Sequence, residues 1–368
     1  MFELQREDKS LKTQSKMVDT PSSVEYLSVV MTTETVDDVT QTTATYLESL
    51  PSHGIEFYFE CAVIVIGVVG IAANALILYA LVASKQHKKH VLIVNQNVLD
   101  FISSLFLVIT YSLKLCNFYL VGLGGYWFCV LVLSETLLWF PIVASKTNLM
   151  VITIERYLKA VYPIWSKNKL RKWMIHSAMA FTWISAVVNM AFMIVTSDVV
   201  DGVCYSYVFW ESRVTQVAFG VWYFLSFYLI ILIIFIFCYW RILVVIRRQA
   251  RVMAGHSGPG PSTAQTQSRK IQTNVIKTMI IVSAFYAISD TPVNMYFLLM
   301  NINENLTLLY GGYYALMVVS FFYICANPFI YATKFDPVKG VLLRLIPQCL
   351  KTHTEPIENI EMAASRIR

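Results

Sequence analysis

Residues 127–163 read WFCVLVLSETLLWFPIVASKTNLMVITIERYLKAVYP. The run is apolar enough to cross a membrane, yet it carries Glu135, Lys146, Glu155 and Arg156. Cys129 and Arg156 are 27 positions apart, about 40 Å of helix, which is about a bilayer with its headgroup regions. One end presents a cysteine to one side of the membrane and the other an arginine to the opposite side. Lys146 stands ten positions before Arg156, roughly 15 Å further in, and so near mid-membrane. Glu135, Trp139, Ile142, Lys146, Leu149, Thr153 and Arg156 follow three-four spacing and share one helical face. A face that collects Glu, Lys and Arg cannot point at lipid. This helix must be surrounded by others, with its polar face turned into their bundle.

Composition agrees. Of the 368 residues, 57% are hydrophobic and 14% charged, against about 25% charged in soluble domains, so an integral membrane protein is expected. The net charge of +6 does not point to nucleic acid, because the basic residues sit in short connections between apolar runs. An enzyme is not expected: the sequence shows no His/Cys metal cluster, nucleophile motif or soluble domain.

Working outward, residues 1–56 are polar, Thr-rich and acidic without amphipathic period, and read as a disordered arm. No basic n-region precedes an apolar h-region, so no cleavable signal peptide is expected. Seven apolar spans follow, roughly 57–83, 91–115, 127–160, 172–196, 214–246, 271–300 and 310–333, each long enough to cross. The connections 84–90, 159–172 and 241–277 hold lysines and arginines without an acid, whereas the alternate ones hold Lys114, then Asp198, Asp201, Glu211 and Arg213, then Glu304. The positive-inside rule puts the basic set in the cytoplasm, hence the N-terminus outside and the C-terminus inside. The sequon Asn305-Leu306-Thr307 then lies in the last outer loop, a glycosylation candidate. The segment 256–262 is Gly/Pro-rich and reads as a flexible loop between helices that outrun the membrane. Residues 335–346 are amphipathic and basic and suit a helix on the inner surface. Cys349 beyond it is a palmitoylation candidate, an unmodified thiol being the alternative. The division is therefore an outer arm (1–56), a bundle (57–333) and a cytoplasmic tail (334–368).

Cys129 at the outer top of span three and Cys204 in the second outer loop both face an oxidising compartment. A disulfide between them would pin that loop over the bundle mouth.

Over residues 57–349 these features resemble the rhodopsin-like family of G-protein-coupled receptors. Asn74 resembles the family's span-one Asn, and Asn95 with Asp100 its span-two Asn-Leu-Ala-x-x-Asp pattern. Cys129 and Cys204 resemble its bridging pair. Glu155-Arg156-Tyr157 is a form of its Asp/Glu-Arg-Tyr motif, and Trp183, Tyr239 and Pro292 stand at its span-four, span-five and span-six positions. Asn327-Pro328-Phe329-Ile330-Tyr331 is its Asn-Pro-x-x-Tyr motif. The resemblance implies an all-α seven-helix membrane bundle in the plasma membrane. Its partners would be an extracellular ligand, a heterotrimeric G protein and arrestin. Coupling and switching would fall to Glu155, Arg156, Tyr157, Tyr239, Asn327, Pro328 and Tyr331. Departures are as informative. The Cys129–Arg156 spacing is slightly long, which suggests a bulge at Pro141. Span five lacks the usual Pro, with Ile231 near its place, and Asp290 replaces the usual Trp two residues before Pro292. The inner end of span six offers no acid to lock Arg156, which points to raised basal activity. Phe321 replaces the opsin lysine and Leu138 the amine-receptor Asp, which argues against a photoreceptor and a monoamine ligand.

Three constellations carry candidate function. Asp100 sits at mid-membrane depth, where an ionised carboxylate is costly unless paired. Ser145, Asn327 and Asn74 complete a small polar site; Na⁺ is the guest the resemblance implies, and a protonated Asp100 is the alternative. No other cofactor is expected. A ligand pocket open to the outside falls between spans three, five, six and seven, with Glu135, Trp139, Asp290, Asn294, Tyr313 and Met317 on its inward stripes. Lys146 needs a partner or must be neutral, since a lone mid-bilayer charge costs about 2.5–3.5 kcal/mol on insertion scales. Asp100 and Asp290 both lie at suitable depth. The resemblance turns Lys146 toward spans five and six and Ser145 toward span two, which favours Asp290. A small multi-span transporter using Lys146, Asp100 and Asp290 is the alternative function, though carriers show internal repeats and the two halves here show none.

Overall fold

The computed structural model describes residues 52–88, 90–116, 118–206, 210–254, 263–303, 310–334 and 336–345. The arm up to residue 51, the sequon at Asn305 and Cys349 lie outside the described residues.

Apolar runs build the fold. Helix α1 is Ser52–Ala83 and α2 is Val91–Lys114. A third rod joins α3 (Gly122–Phe128), a π turn at Cys129–Leu133 and α4 (Thr136–Val161). The short α5 (Pro163–Lys169) leads to a fourth rod, α6 (Lys172–Met190) with α7 (Phe192–Thr196). Strands β1 (Asp198–Val200) and β2 (Val203–Tyr205) follow. The fifth rod is α8 (Arg213–Tyr223), a π segment at Phe224–Leu229 and α9 (Ile230–Ala254). Helices α10 (Thr263–Ile302), α11 (Tyr310–Lys334) and α12 (Asp336–Leu345) complete the chain. Among the described residues six stretches are long and apolar enough to cross a membrane: Gly54–Ala83, Val91–Lys114, Gly122–Val161, Lys172–Thr196, Arg213–Arg248 and Gly312–Thr333. Helix α10, 40 residues long, is about 60 Å, twice a bilayer core, and Asp290, Pro292 and Asn294 dilute its apolar character.

The helices pack as a bundle, α1 on α2 and α11, α4 on α2, α6 and α9, and α10 on α11. Burial is inverted relative to a water-soluble domain. Asn74, Gln96, Asn97, Asp100, Asn148 and Asn327 are wholly buried, while Val65, Val68, Ile233, Ile236, Phe237 and Trp240 are exposed. That pattern suits a solvent that cannot hydrogen-bond. The largest core cluster fills the lower half, with Ile152, Phe235, Tyr239, Met279, Tyr286, Tyr323 and Tyr331. A second, with Phe59, Tyr111, Leu138 and Phe321, lies above it.

The long Cys129–Arg156 spacing is not absorbed at Pro141, which stays inside α4. The extra length is taken up by the π turn, where Ser134 N donates to Cys129 O at 2.8 Å, and by Glu135, whose φ is 65°. Glu135 O then accepts from both Leu138 N (3.0 Å) and Trp139 N (2.9 Å), starting a new helix. A left-handed non-glycine residue costs about 1–3 kcal/mol. Three side-chain bonds to the Glu135 carboxylate, described below, hold it there.

The β1–β2 hairpin is antiparallel, Val199 opposite Cys204 and Val200 opposite Val203. Its turn is Asp201-Gly202 with φ of 52° and 78°, the mirror-image turn that Asp-Gly favours because both residues need positive φ. A side chain on Gly202 would meet the Tyr119 ring at 2.2 Å. Cys204 is bonded to Cys129 with Cα atoms 5.3 Å apart, so the hairpin is stapled to the π turn.

Candidate functional site

Helix α4 carries a polar column through the bundle, and neighbouring residues on it look different ways. Lys146, buried to 4% exposure, places Nζ 2.8 Å from both Asp290 oxygens on α10. Asn294 Nδ2, one turn further on, donates to Asp290 Oδ2 at 2.6 Å. Ser320 Oγ of α11 donates to Oδ1 at 3.3 Å. The ammonium also lies 5.9 Å from the ring centres of Trp139 and Tyr286, within cation–π range. The backbones of α4 and α10 scarcely meet elsewhere, so this pair is a principal tie between them.

Ser145 turns the other way. Its hydroxyl donates to Asp100 Oδ1 at 2.7 Å, Asn327 Nδ2 of α11 donates to Oδ2 at 2.8 Å, and Gln96 Nε2 reaches both oxygens at 3.3 and 3.4 Å. Gln96 also bonds Ser145. Asn148 Nδ2 donates to Gln96 Oε1 at 2.9 Å, Asn95 Nδ2 to Asn148 Oδ1 at 3.0 Å, and Trp183 Nε1 to Asn95 Oδ1 at 3.2 Å. Side-chain amides thus chain Asp100 across α2 and α4 to α6. All of Asp100's bonding partners are neutral.

At the Cys129 end of the column Glu135 is clasped by Lys114, by Tyr111 Oη at 2.9 Å and by Trp139 Nε1 at 2.9 Å. At the opposite end Arg156 Nε stands 3.2 Å from Glu155 Oε2 and its Nη2 3.2 Å from His90 Nδ1. Glu155 also pairs with Lys159. One turn in, Tyr239 Oη bonds Thr153 Oγ1 (2.8 Å) and Ser283 Oγ (2.9 Å), bridging α9, α4 and α10.

The family model described as 7 transmembrane receptor (rhodopsin family) matches residues 73–331. The chain belongs to that family. No curated protein matches it.

In this receptor the structure brings together Lys146 with Asp290, Asp290 with Asn294, Glu135 with Trp139, Asp100 with Ser145 and Asn327, and Cys129 with Cys204. It does not bring Asn74 to Asp100: the Asn74 amide donates to the carbonyls of Gly70 (3.0 Å) and Ile324 (3.4 Å) instead, because it lies on α1, and Gln96 of α2 occupies that place. Tyr239 bonds Thr153 and Ser283 rather than Arg156, and the buried Tyr331 hydroxyl has no hydrogen-bond partner among the described residues. Tyr157 is half-buried against the largest core cluster, with its ring on Tyr162 and Phe237. Pro328 stays inside α11. Tyr313 rests against Tyr296 and Tyr314, and Met317 against the upper apolar cluster. Among the residues that sequence reading missed, Gln96, Asn148 and Ser320 carry no charge to draw attention. The hairpin had a legible signal in Asp201-Gly202.

Proposed function

We propose that the chain is a plasma-membrane receptor that passes an extracellular ligand signal to a heterotrimeric G protein by rearranging its helices, with arrestin as a second partner at the same inner face. The reading takes seven spans, α10 supplying the sixth, with the arm 1–56 outside and the tail 334–368 inside. Charge asymmetry between the two sets of connections supports that orientation. Helix α12, with Val338 buried and Leu343 and Leu345 exposed, suits the inner surface. The ligand is a peptide or another non-monoamine. Family membership favours this reading over a carrier.

The observation that carries it is the polar column of α4, which ends in Arg156 held by Glu155 and His90. Loss of the Glu155 contact frees a guanidinium at the inner rim, where a G protein would take it up. Above it, Lys146–Asp290 acts as a latch between α4 and α10, standing where relatives of the rhodopsin-like type use an aromatic side chain. Outward movement of α10 about Pro292 separates the pair. Glu135, clasped by Lys114, is the charged wall that a ligand must engage.

The Asp100 site fits Na⁺. It offers a carboxylate, the Ser145 hydroxyl and Asn327, whose buried Oδ1 has no hydrogen-bond partner among the described residues; rotating the amide presents that oxygen. A bound cation would supply the positive charge that the neutral donors lack.

The test is a ligand-independent panel of G-protein nucleotide exchange in cells. Wild type should activate one G-protein class above mock, and Arg156→Ala should abolish this at equal surface level. A variant with normal surface level and normal exchange contradicts the reading.

A further inference from the structure

Between the inner end of α4, α5 and the start of α6 lies an open cavity of about 370 Å³, lined by Lys159, Pro163, Ser166, Lys167, Leu170 and Ile175. Two cations and a hydroxyl share it with three apolar side chains, and no acid lines it. Ser166 is buried to 6% exposure, and its hydroxyl makes no hydrogen bond to another described residue. Lys159 leans on Glu155 yet keeps a third of its side chain exposed; Lys167 is exposed. Exposed Lys169, Arg171 and Lys172 extend the positive rim. Beside these cations two large aromatics stand bare, Trp165 at 45% and Trp173 at 63% exposure. Tryptophan among lysines belongs to the level of the lipid headgroups, where a ring has one apolar and one wet side.

We infer that this cavity binds the phosphorylated headgroup of an anionic phospholipid. The inference rests on the orientation proposed above, which puts the cavity at the inner leaflet, where anionic lipids collect. A phosphate oxygen accepts only. The groups facing it, two ammoniums and an unused hydroxyl, all donate. The lining also discriminates between lipids. A zwitterionic headgroup would bring its own cation against Lys159 and Lys167, whereas an anionic one brings none. Leu170 and Ile175 offer an apolar wall for the glycerol and upper acyl chain of the same molecule, which a free phosphate compound would leave uncovered.

The experiment uses the full chain, purified and placed in phosphatidylcholine nanodiscs doped with fluorescent phosphatidylinositol bisphosphate. A juxtamembrane lysine contributes on the order of a fivefold affinity factor toward an anionic surface. Lys159→Ala/Lys167→Ala should therefore weaken lipid binding by roughly 25-fold or more, Ser166→Ala by less, and the control pair Lys85→Ala/Lys88→Ala, which adds only general surface charge, by several-fold less than the cavity pair. Lys167→Glu, at an exposed position, gives the same direction where the double variant expresses poorly. Equal losses from both lysine pairs would reduce the effect to general charge and overturn the site. Soluble inositol trisphosphate displacing the lipid at matched concentration would overturn the lipid assignment in favour of a free phosphate compound. A double variant that binds lipid normally but loses G-protein activation would overturn it in favour of a protein-docking face. Nanodiscs expose both faces, so this binding is independent of orientation; antibody access to a C-terminal tag on intact cells tests orientation separately.

Discussion

Ser145 and Lys146 are neighbours on α4, yet each answers a different buried carboxylate. Asp100 receives a hydroxyl and two amides, from Ser145, Asn327 and Gln96. Asp290 receives an ammonium in addition to Asn294 and Ser320. Both acids are almost fully buried. The first site distributes bonds but supplies no counter-charge, so it is open to an exchangeable cation or proton. The second carries its counter-charge on a tether. A buried site of the first kind responds to its medium, and one of the second kind responds to helix movement, because only displacement of α4 or α10 can part the charges.

The comparison breaks most visibly at Lys146. Lys146→Ala strands the Asp290 carboxylate, and removing one partner of a buried pair costs about 3–5 kcal/mol. Surface expression and melting temperature of the purified protein should both fall steeply. Replacing both residues, Lys146→Met with Asp290→Asn, should recover most of the loss, since no unpaired charge remains.

Next in size is the staple at the outer end. Cys129→Ser frees the hairpin from the π turn, with a cost of about 2–4 kcal/mol. Peptide mapping without reduction should find Cys129 joined to Cys204 in the wild type. Finding both as free thiols would remove the staple from the account.

Asp100→Asn should cost less, about 1–2 kcal/mol, because every neighbour is neutral and side-chain amides can re-pair. Its signature is in function instead: Na⁺ should raise the melting temperature of the wild type and leave the variant unmoved. An equal Na⁺ response in both would place the ion elsewhere. The smallest effect belongs to Glu135→Gln, about 1 kcal/mol, because the amide oxygen still accepts from Tyr111 and Trp139 and only the charge facing Lys114 is lost. Melting curves of the two proteins should differ by only a few degrees.

The rods were legible because apolar runs of bilayer length have few other uses; depth alone left Lys146 a choice of Asp100 or Asp290, and the family resemblance, which turns Lys146 toward spans five and six, selected Asp290. Four things were not legible. The break at Cys129–Glu135 has no local signature: Glu135 reads as one more position on a helical stripe, and only the reach of Tyr111 and Lys114 from α2 explains its positive φ. The amide chain through Gln96, Asn148 and Asn95 was hidden because neutral residues do not demand partners by charge, although burial makes their hydrogen bonds just as necessary. Asn74 is a fitting neighbour for a buried Asp100 by residue type, whereas its short side chain meets the carbonyls of Gly70 and Ile324 nearer to hand. The cavity beneath α5 depends on how α4 and α6 converge, which periodicity within either helix does not encode.

The most direct test of the latch is a charge swap read by basal G-protein activation at matched surface level. Lys146→Asp places two acids together and Asp290→Lys two cations, so each single variant should depress expression or disturb signalling. Lys146→Asp with Asp290→Lys restores an ion pair of reversed sense and should recover a substantial part of both. A double variant no better than the worse single one would contradict the claim that these two side chains hold α4 to α10.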